Sequence, residues 1–256
     1  MSEKYLRFLE PQSGRIYYGL LDNDRVTPLQ DPPWQSVKKE NKTFNLNDVI
    51  LKAPVEPGKI ICIGLNYHAH VQASQSADKA PDYPLIFLKP PSSVIGPQEN
   101  IVHPSQSERV DYEAELGVVI GRTAHKVTPA DAESCIFGYT CVNDVTARDL
   151  QKKDGQWSRA KGFDTFCPVG PWIVTRLNYQ DVLVEGILNG KVKQSGRTSL
   201  MIFDIPYLIS YISAIMTLYP GDLISTGTPA GIAPMKPGDV IEVKVEGIGS
   251  LINRMI

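Results

Sequence analysis

Apolar and polar positions alternate through the first thirty residues. KYLRFLE and RIYYGLLD are separated by PQSG, and DNDR leads into VTPL. Period-two patterning bounded by turn residues predicts short strands. Residues 30–56 are polar and bounded by prolines, with a short helix expected near 46–52. After APVEPGK the texture changes to longer apolar runs. KIICIGL, PLIFLKPPSSVIG, VDYEAELGVVIG, the CIFGYTCVND end of the following segment, PVGPWIVT, VLVEGILNG, DLISTGTPAGI, DVIEVKVEGIG and SLINRMI read as strands. Asn189-Gly190 predicts a hairpin turn from VLVEGILNG into KVKQSG. Helices are expected from the Thr128-Pro129 cap, over TARDLQKKD, and over FDIPYLISYISAIMTL with Asp204 as cap and Pro206 in the first turn. NYHAHVQASQSADKAPDYP reads as polar loop with at most one helical turn.

This order lacks regular βαβ alternation, which argues against a Rossmann fold or a TIM barrel. The pattern predicts an α+β, β-rich fold, with a small N-terminal β unit at residues 1–55 and a larger unit at 56–256. GLNYHAH and STGTPAG lack the spacing of phosphate-binding glycine loops, so the sequence gives little support to nucleotide binding. No repeat or low-complexity tract is present.

Composition narrows the function classes. The chain has 256 residues, 42% hydrophobic and 21% charged, ordinary values for a globular protein. A formal net charge of −2 and no dense basic run argue against a nucleic-acid surface. No segment approaches ~18 uninterrupted apolar residues, so no membrane span is expected. MSEKYLRFLEPQSG lacks the pattern of a signal peptide, and the cytoplasm is the expected compartment. Cys62, Cys135, Cys141 and Cys167 form no CxxC pair and are expected to be buried thiols.

The candidate chemistry starts in DYEAELGVVIG. Glu113 and Glu115 are two apart, which on a strand puts both on one face. Either the strand start is solvated, or a cation compensates the two charges. Glu115 is followed directly by the most apolar run of the strand, and Asp144 ends another apolar strand. Three carboxylates leaving open positions suit a hard divalent ion: Mg²⁺, Mn²⁺ or Ca²⁺. Arg148 and Gln151 follow Asp144 at helical spacing. Lys161 in RAKGFD and Thr228 in STGTP could converge on the same place, a set suited to a small carboxylate-bearing substrate. His68 and His70 form an HxH pair without a third nitrogen or sulfur ligand at useful spacing for zinc. Lys89 is either pocket-facing or structural, Asp111 a surface or supporting residue, and Asp164 a partner of Lys161 or a turn cap. His103 and His125 are expected at the surface.

At these residues the sequence resembles the fumarylacetoacetate hydrolase family. The resemblance covers about residues 58–256 and rests on ordered motifs: GLNYHAH, FLKPPSSVIGP, DYEAELGVVIG, NDVTARDLQ, WSRAKGFDTFCPVGPWI and LISTGTPAGI. Within the family it is most similar to acylpyruvate hydrolases, oxaloacetate decarboxylases and decarboxylase/isomerases. The resemblance implies a mixed β-roll, usually a homodimer, with Mg²⁺ or Mn²⁺ held by Glu113, Glu115 and Asp144. It implies a small 2-oxo acid substrate chelating that ion, with Lys161 adding positive charge or a proton. Arg148 and Gln151 would orient the substrate, and Thr228 would hold its carboxylate. Hydrolysis of an acylpyruvate-type C–C bond is the family default.

One departure stands out. Family hydrolases pair the lid histidine, here His70, with a glutamate three residues on, where this chain has Ala73. Gln72, Ser74 and Gln75 supply no base, while Asp78 and Asp82 are candidate substitutes. Without an acidic partner, water activation is expected to weaken by ~10²-fold or more. Weight shifts toward isomerisation, tautomerisation or decarboxylation, or toward a non-catalytic oxo-acid-binding relative.

Overall fold

The computed structural model describes residues 2–73 and 79–256. Its largest sheet runs, in spatial order, through Phe44–Asn45, Arg25–Leu29, Arg15–Asp22, Lys4–Glu10, Cys167–Val174, Ile136–Asn143, Ala114–Ile120, Leu223–Ser225, Ile60–Gly64 and Leu85–Lys89. The N-terminal strands therefore continue the main sheet, through the antiparallel pairing of Lys4–Glu10 with Cys167–Val174. A second sheet joins Lys191–Arg197, Leu183–Leu188, Val240–Val245, Gly249–Met255 and Asn100–Ile101. A small third sheet joins Thr146–Ala147, Val110–Asp111 and Pro234–Met235. The fold is β-rich with few helices, as the patterning predicts.

The Ala114–Ile120 strand has two buried faces. Leu116, Val118 and Ile120 point into a core shared with Val184, Val243 and the helix Ile205–Ile215, while Val119 points into a second core with Ile60, Val142 and Val169. Burial on both sides explains the unbroken apolar run after Glu115. It also means that any polar side chain at this strand's mouth must be satisfied by protein groups or a ligand.

Two helices start as the sequence predicts. Thr128 caps Pro129–Ala132, and Asp204 caps Ile205–Ile215, accepting the Tyr207 N–H at 2.8 Å. Asp204→Ala should lower stability by about 1 kcal/mol, read as a shift in the urea midpoint. The Asn189-Gly190 hairpin forms between Leu183–Leu188 and Lys191–Arg197. All four cysteines are free and buried.

Three expectations need correction. Residues 46–52 give only a single 3-10 turn, Leu46–Asp48, followed by a strand, Ile50–Lys52, that pairs with Lys4–Glu10. Edge pairing overrides weak helical propensity there. The acidic strand begins at Ala114, so Glu113 precedes it, just after Val110–Asp111. Asp144 is not on the helix that carries Arg148 and Gln151. That helix is Arg148–Asp154, and Asp144 lies before the short Thr146–Ala147 strand.

Candidate active site

The site forms where the Ala114–Ile120 and Ile136–Asn143 strands end side by side. Their register sets Ala114 opposite Asn143, which places Glu113 and Asp144 just beyond the paired ends. The Asp144 N–H donates to the Glu113 carbonyl at 2.9 Å, and the Asn143 carboxamide oxygen accepts from the Glu113 N–H at 3.0 Å. Glu113, Glu115 and Asp144 are all buried, with one carboxylate oxygen of each within 4.8 Å of the others.

Cations surround this cluster. Lys89 Nζ donates to Asp144 Oδ1 at 2.5 Å and to the Val145 carbonyl at 3.0 Å. Lys161 Nζ bridges Asp144 Oδ2 at 2.5 Å and Glu113 Oε2 at 3.0 Å. Arg148 donates to Glu113 Oε1 through Nη2, to Asp111 Oδ2 through Nε at 2.9 Å, and to Gln151 Oε1 through Nη1 at 2.6 Å. Glu115 differs. Its Oε2 accepts from Ser225 Oγ at 2.5 Å and from the Gly227 N–H at 2.8 Å, and among the described residues no cation forms an ion pair with it.

The electrostatics follow. Burial pushes the Glu113 carboxyl up, but Lys161 and Arg148 outweigh it and hold the group well below the usual range. Burial pushes Glu115 up to about 8, reinforced by the neighbouring charges of Asp144 and Glu113. Burial and mutual repulsion thus oppose ionising all three carboxylates together, and Glu115 is the one left without a paired cation among the described residues. An all-oxygen cluster with one unpaired carboxylate fits a hard divalent cation, and Glu113, Glu115 and Asp144 are the residues that could hold one.

The remaining predicted residues gather at one cavity. His70, Glu113, Glu115, Arg148, Gln151, Lys161 and Thr228 line it, with Phe87 and Trp157 as an apolar wall. Phe87 and Trp157 meet edge-to-face at 5.2 Å. His70 sits in the helix His68–Ala73, and its buried Nδ1 has no hydrogen-bond partner among the described residues. Burial lowers its pKa from 6.5, with Arg148 and Lys161 acting the same way and Glu113 opposing them. Of the proposed acid substitutes, Asp82 is exposed and paired with Lys79 at 3.1 Å, and Asp78 lies outside the described residues. Thr228 faces the cavity, but its hydroxyl already donates to the Ala114 carbonyl at 2.8 Å.

Several residues whose sequence context allows two roles take one of them in the fold. Lys89 proves fully buried on Asp144, a role signalled only by its place at the end of an apolar strand. Asp111 is fully buried between Arg109 and Arg148. Asp164 and His125 are exposed, and His103 is half-buried. Ser225 and Gly227 lie in the LISTGTPAGI motif, but their contacts with Glu115, like those of Gln194 with Ala114 and Thr228, join residues distant in the chain and leave no local mark.

Comparison with known proteins agrees with this architecture. Residues 59–256 match the fumarylacetoacetate (FAA) hydrolase C-terminal model, and residues 3–54 match the Rv2993c-like, N-terminal model. Oxaloacetate tautomerase YisK of Bacillus subtilis is 38% identical over 272 residues, covering 99% of this chain and 90% of that protein. The 2,4-didehydro-3-deoxy-L-rhamnonate hydrolase of a Sphingomonas strain is 46% identical over 205 residues, 75% of this chain and 71% of that protein. The crystal structure of 5-carboxymethyl-2-hydroxymuconate delta-isomerase from Mycobacterium smegmatis superposes with a TM-score of 0.92 at 43% identity, covering 99% of both chains. With the ordered motifs, the buried acidic cluster and the matched domain model in agreement, the chain belongs to the fumarylacetoacetate hydrolase family.

Proposed function

We propose that this protein is a divalent-metal-dependent enzyme that interconverts the enol and keto forms of a small 2-oxo dicarboxylic acid, oxaloacetate being the type case. One observation carries the choice within the family. His70 stands in the pocket with its Nδ1 unpartnered, and the chain has alanine at the position where a glutamate would orient it. A neutral imidazole can still move a proton on and off carbon. Activating water for C–C hydrolysis demands a controlled tautomer and a stronger base. The full-length similarity to an oxaloacetate tautomerase and to isomerase structures supports the same reading.

Charge also supports a dianionic substrate. Lys89, Arg148 and Lys161 pair with Asp144 and Glu113, and Arg109 and Arg148 with Asp111, so with Glu115 ionised as well four cations balance four carboxylates. A bound divalent ion would leave two positive charges, which a dicarboxylate would neutralise. When bound to Glu113, Glu115 and Asp144, Mg²⁺ or Mn²⁺ would stabilise negative charge developing on the substrate's C2 oxygen. Lys161 would hold further positive charge beside that oxygen. The remaining side of the Arg148–Gln151 pair would orient the second carboxylate. His70 would take the proton from C3 while Lys161 gives one to the C2 oxygen, and both transfers would reverse in the other direction. Trp157 and Phe87 would keep bulk water from the reacting carbon. The active species is proposed to be a homodimer, which light scattering on the eluting protein would check.

Acylpyruvate-type hydrolysis is the second reading, favoured by the similarity to the rhamnonate-derived hydrolase. Product analysis separates the two. Oxaloacetate and acetylpyruvate are incubated in turn with the Mg²⁺-loaded protein and followed by proton NMR. Accelerated enol–keto exchange in oxaloacetate with acetylpyruvate left whole supports the tautomerase. Acetate and pyruvate from acetylpyruvate would replace it with the hydrolase.

The pH dependence follows from His70. The neutral ring is the working form and burial lowers its pKa from 6.5. Turnover per free enzyme should therefore fall as pH drops through an apparent value below 6.5, with a plateau near neutrality. His70→Asn should lower the rate by ~10²–10⁴-fold and remove that acidic limb.

A further inference from the structure

Gln194 lies on the Lys191–Arg197 strand, in the second sheet and far along the chain from every candidate catalytic residue. It is fully buried. Its Oε1 accepts from the Ala114 N–H at 2.9 Å, and its Nε2 donates to Thr228 Oγ1 and to the Pro229 carbonyl, both at 2.7 Å. Thr228 Oγ1 in turn donates to the Ala114 carbonyl at 2.8 Å. Three of these bonds close a ring on Ala114, the residue between Glu113 and Glu115, and the fourth ties Pro229 to it.

The polarity of the ring is forced. A backbone N–H can only donate, so the carboxamide oxygen must face Ala114. The NH₂ group must then face Thr228 and Pro229. Thr228 Oγ1 accepts there, so its own proton goes to the Ala114 carbonyl. No rotor is left free, and the Thr228 hydroxyl proton is not available to a substrate. Local shape is adapted to the ring. A Cβ on Gly186 would lie 2.7 Å from Gln194 Oε1, and one on Gly196 would lie 2.6 Å from Pro229 Cβ. The hairpin can approach the Thr228 loop only because these positions lack side chains.

We propose that Gln194 is a positioning residue. It locks the Thr228–Pro229 turn against the carboxylate wall and so sets how tightly the pocket holds a small carboxylate anion. The anion would meet a turn whose place beside Glu113 and Glu115 is held by Gln194 and Thr228, together with the Gly227 N–H on Glu115. The inference rests on the proposed function only in placing an anionic substrate at this pocket.

Oxalate is the probe, titrated by calorimetry into Mn²⁺-saturated protein, with urea unfolding measured in parallel. Gln194→Leu should weaken oxalate binding about tenfold or more, since displacements of order an ångström cost up to ~10²-fold. Thr228→Val should give a similar loss, and Thr228→Ser, which keeps the hydroxyl, should stay within about twofold of the unaltered protein. Because the two residues act as one unit, the Gln194→Leu/Thr228→Val double variant should be no weaker than either single. If Gln194→Leu fails to fold, Gln194→Glu tests the same ring, since a carboxylate cannot donate to Thr228 and should show the same loss. Normal oxalate binding in Gln194→Leu, with only a lowered urea midpoint, overturns the proposal. So do penalties that multiply in the double variant. Unaltered protein that binds no oxalate overturns both this inference and the proposed function.

Discussion

Asp144→Asn is expected to damage folding and metal binding together. Among the described residues Asp144 is the only acidic partner of Lys89, whose ammonium is fully buried and otherwise donates to the Val145 carbonyl. Amide replacement leaves that charge uncompensated in the core, which costs about 3–5 kcal/mol. Lys161 keeps Glu113, so its loss is partial. The change also removes one of the three carboxylates of the cluster. Mn²⁺ affinity should therefore fall by more than the ~10–100-fold that loss of a supporting contact costs. Urea unfolding and Mn²⁺ titration by electron paramagnetic resonance read the two effects separately. A variant as stable as the parent, with unchanged Mn²⁺ affinity, would show that Asp144 is neither hub nor ligand.

Lys161→Met should separate what Asp144→Asn combines. After its loss, Glu113 keeps Arg148 and Asp144 keeps Lys89, so each carboxylate retains a counter-charge. The stability cost should be about 1–3 kcal/mol, the range for leaving buried acceptors partly unsatisfied. Removing a positive charge beside the acidic cluster should leave Mn²⁺ affinity unchanged or raise it. Turnover should nevertheless fall by ~10²–10⁴-fold, because the ammonium would stabilise charge that develops only during reaction. Equal losses in metal binding and turnover would instead make Lys161 a brace for the carboxylates.

Much of the site was legible in the sequence, for a physical reason. Carboxylates placed at either end of an apolar strand need a compensating charge, and DYEAELGVVIG and CVNDVT each state that conflict locally. The strand pattern, the Thr128 and Asp204 caps and the Asn189-Gly190 hairpin were legible too, since each depends on neighbours in sequence. What could not be read depends on distant partners. Lys89 looks the same whether it points to water or to Asp144, 55 residues away. Gln194 reads as one polar residue of a hairpin until Ala114 and Thr228 are set beside it. The 46–52 segment was misread because pairing with Lys4–Glu10 decides its conformation, and that pairing leaves no mark in the segment itself.

Enol–keto exchange of oxaloacetate, followed by NMR with the protein and Mg²⁺ and then with EDTA in excess, tests the central claim most directly. The account predicts exchange well above the protein-free rate, no pyruvate above that control, and return to the protein-free rate when the metal is removed. Exchange that survives EDTA, or a signal that is all pyruvate, would contradict it.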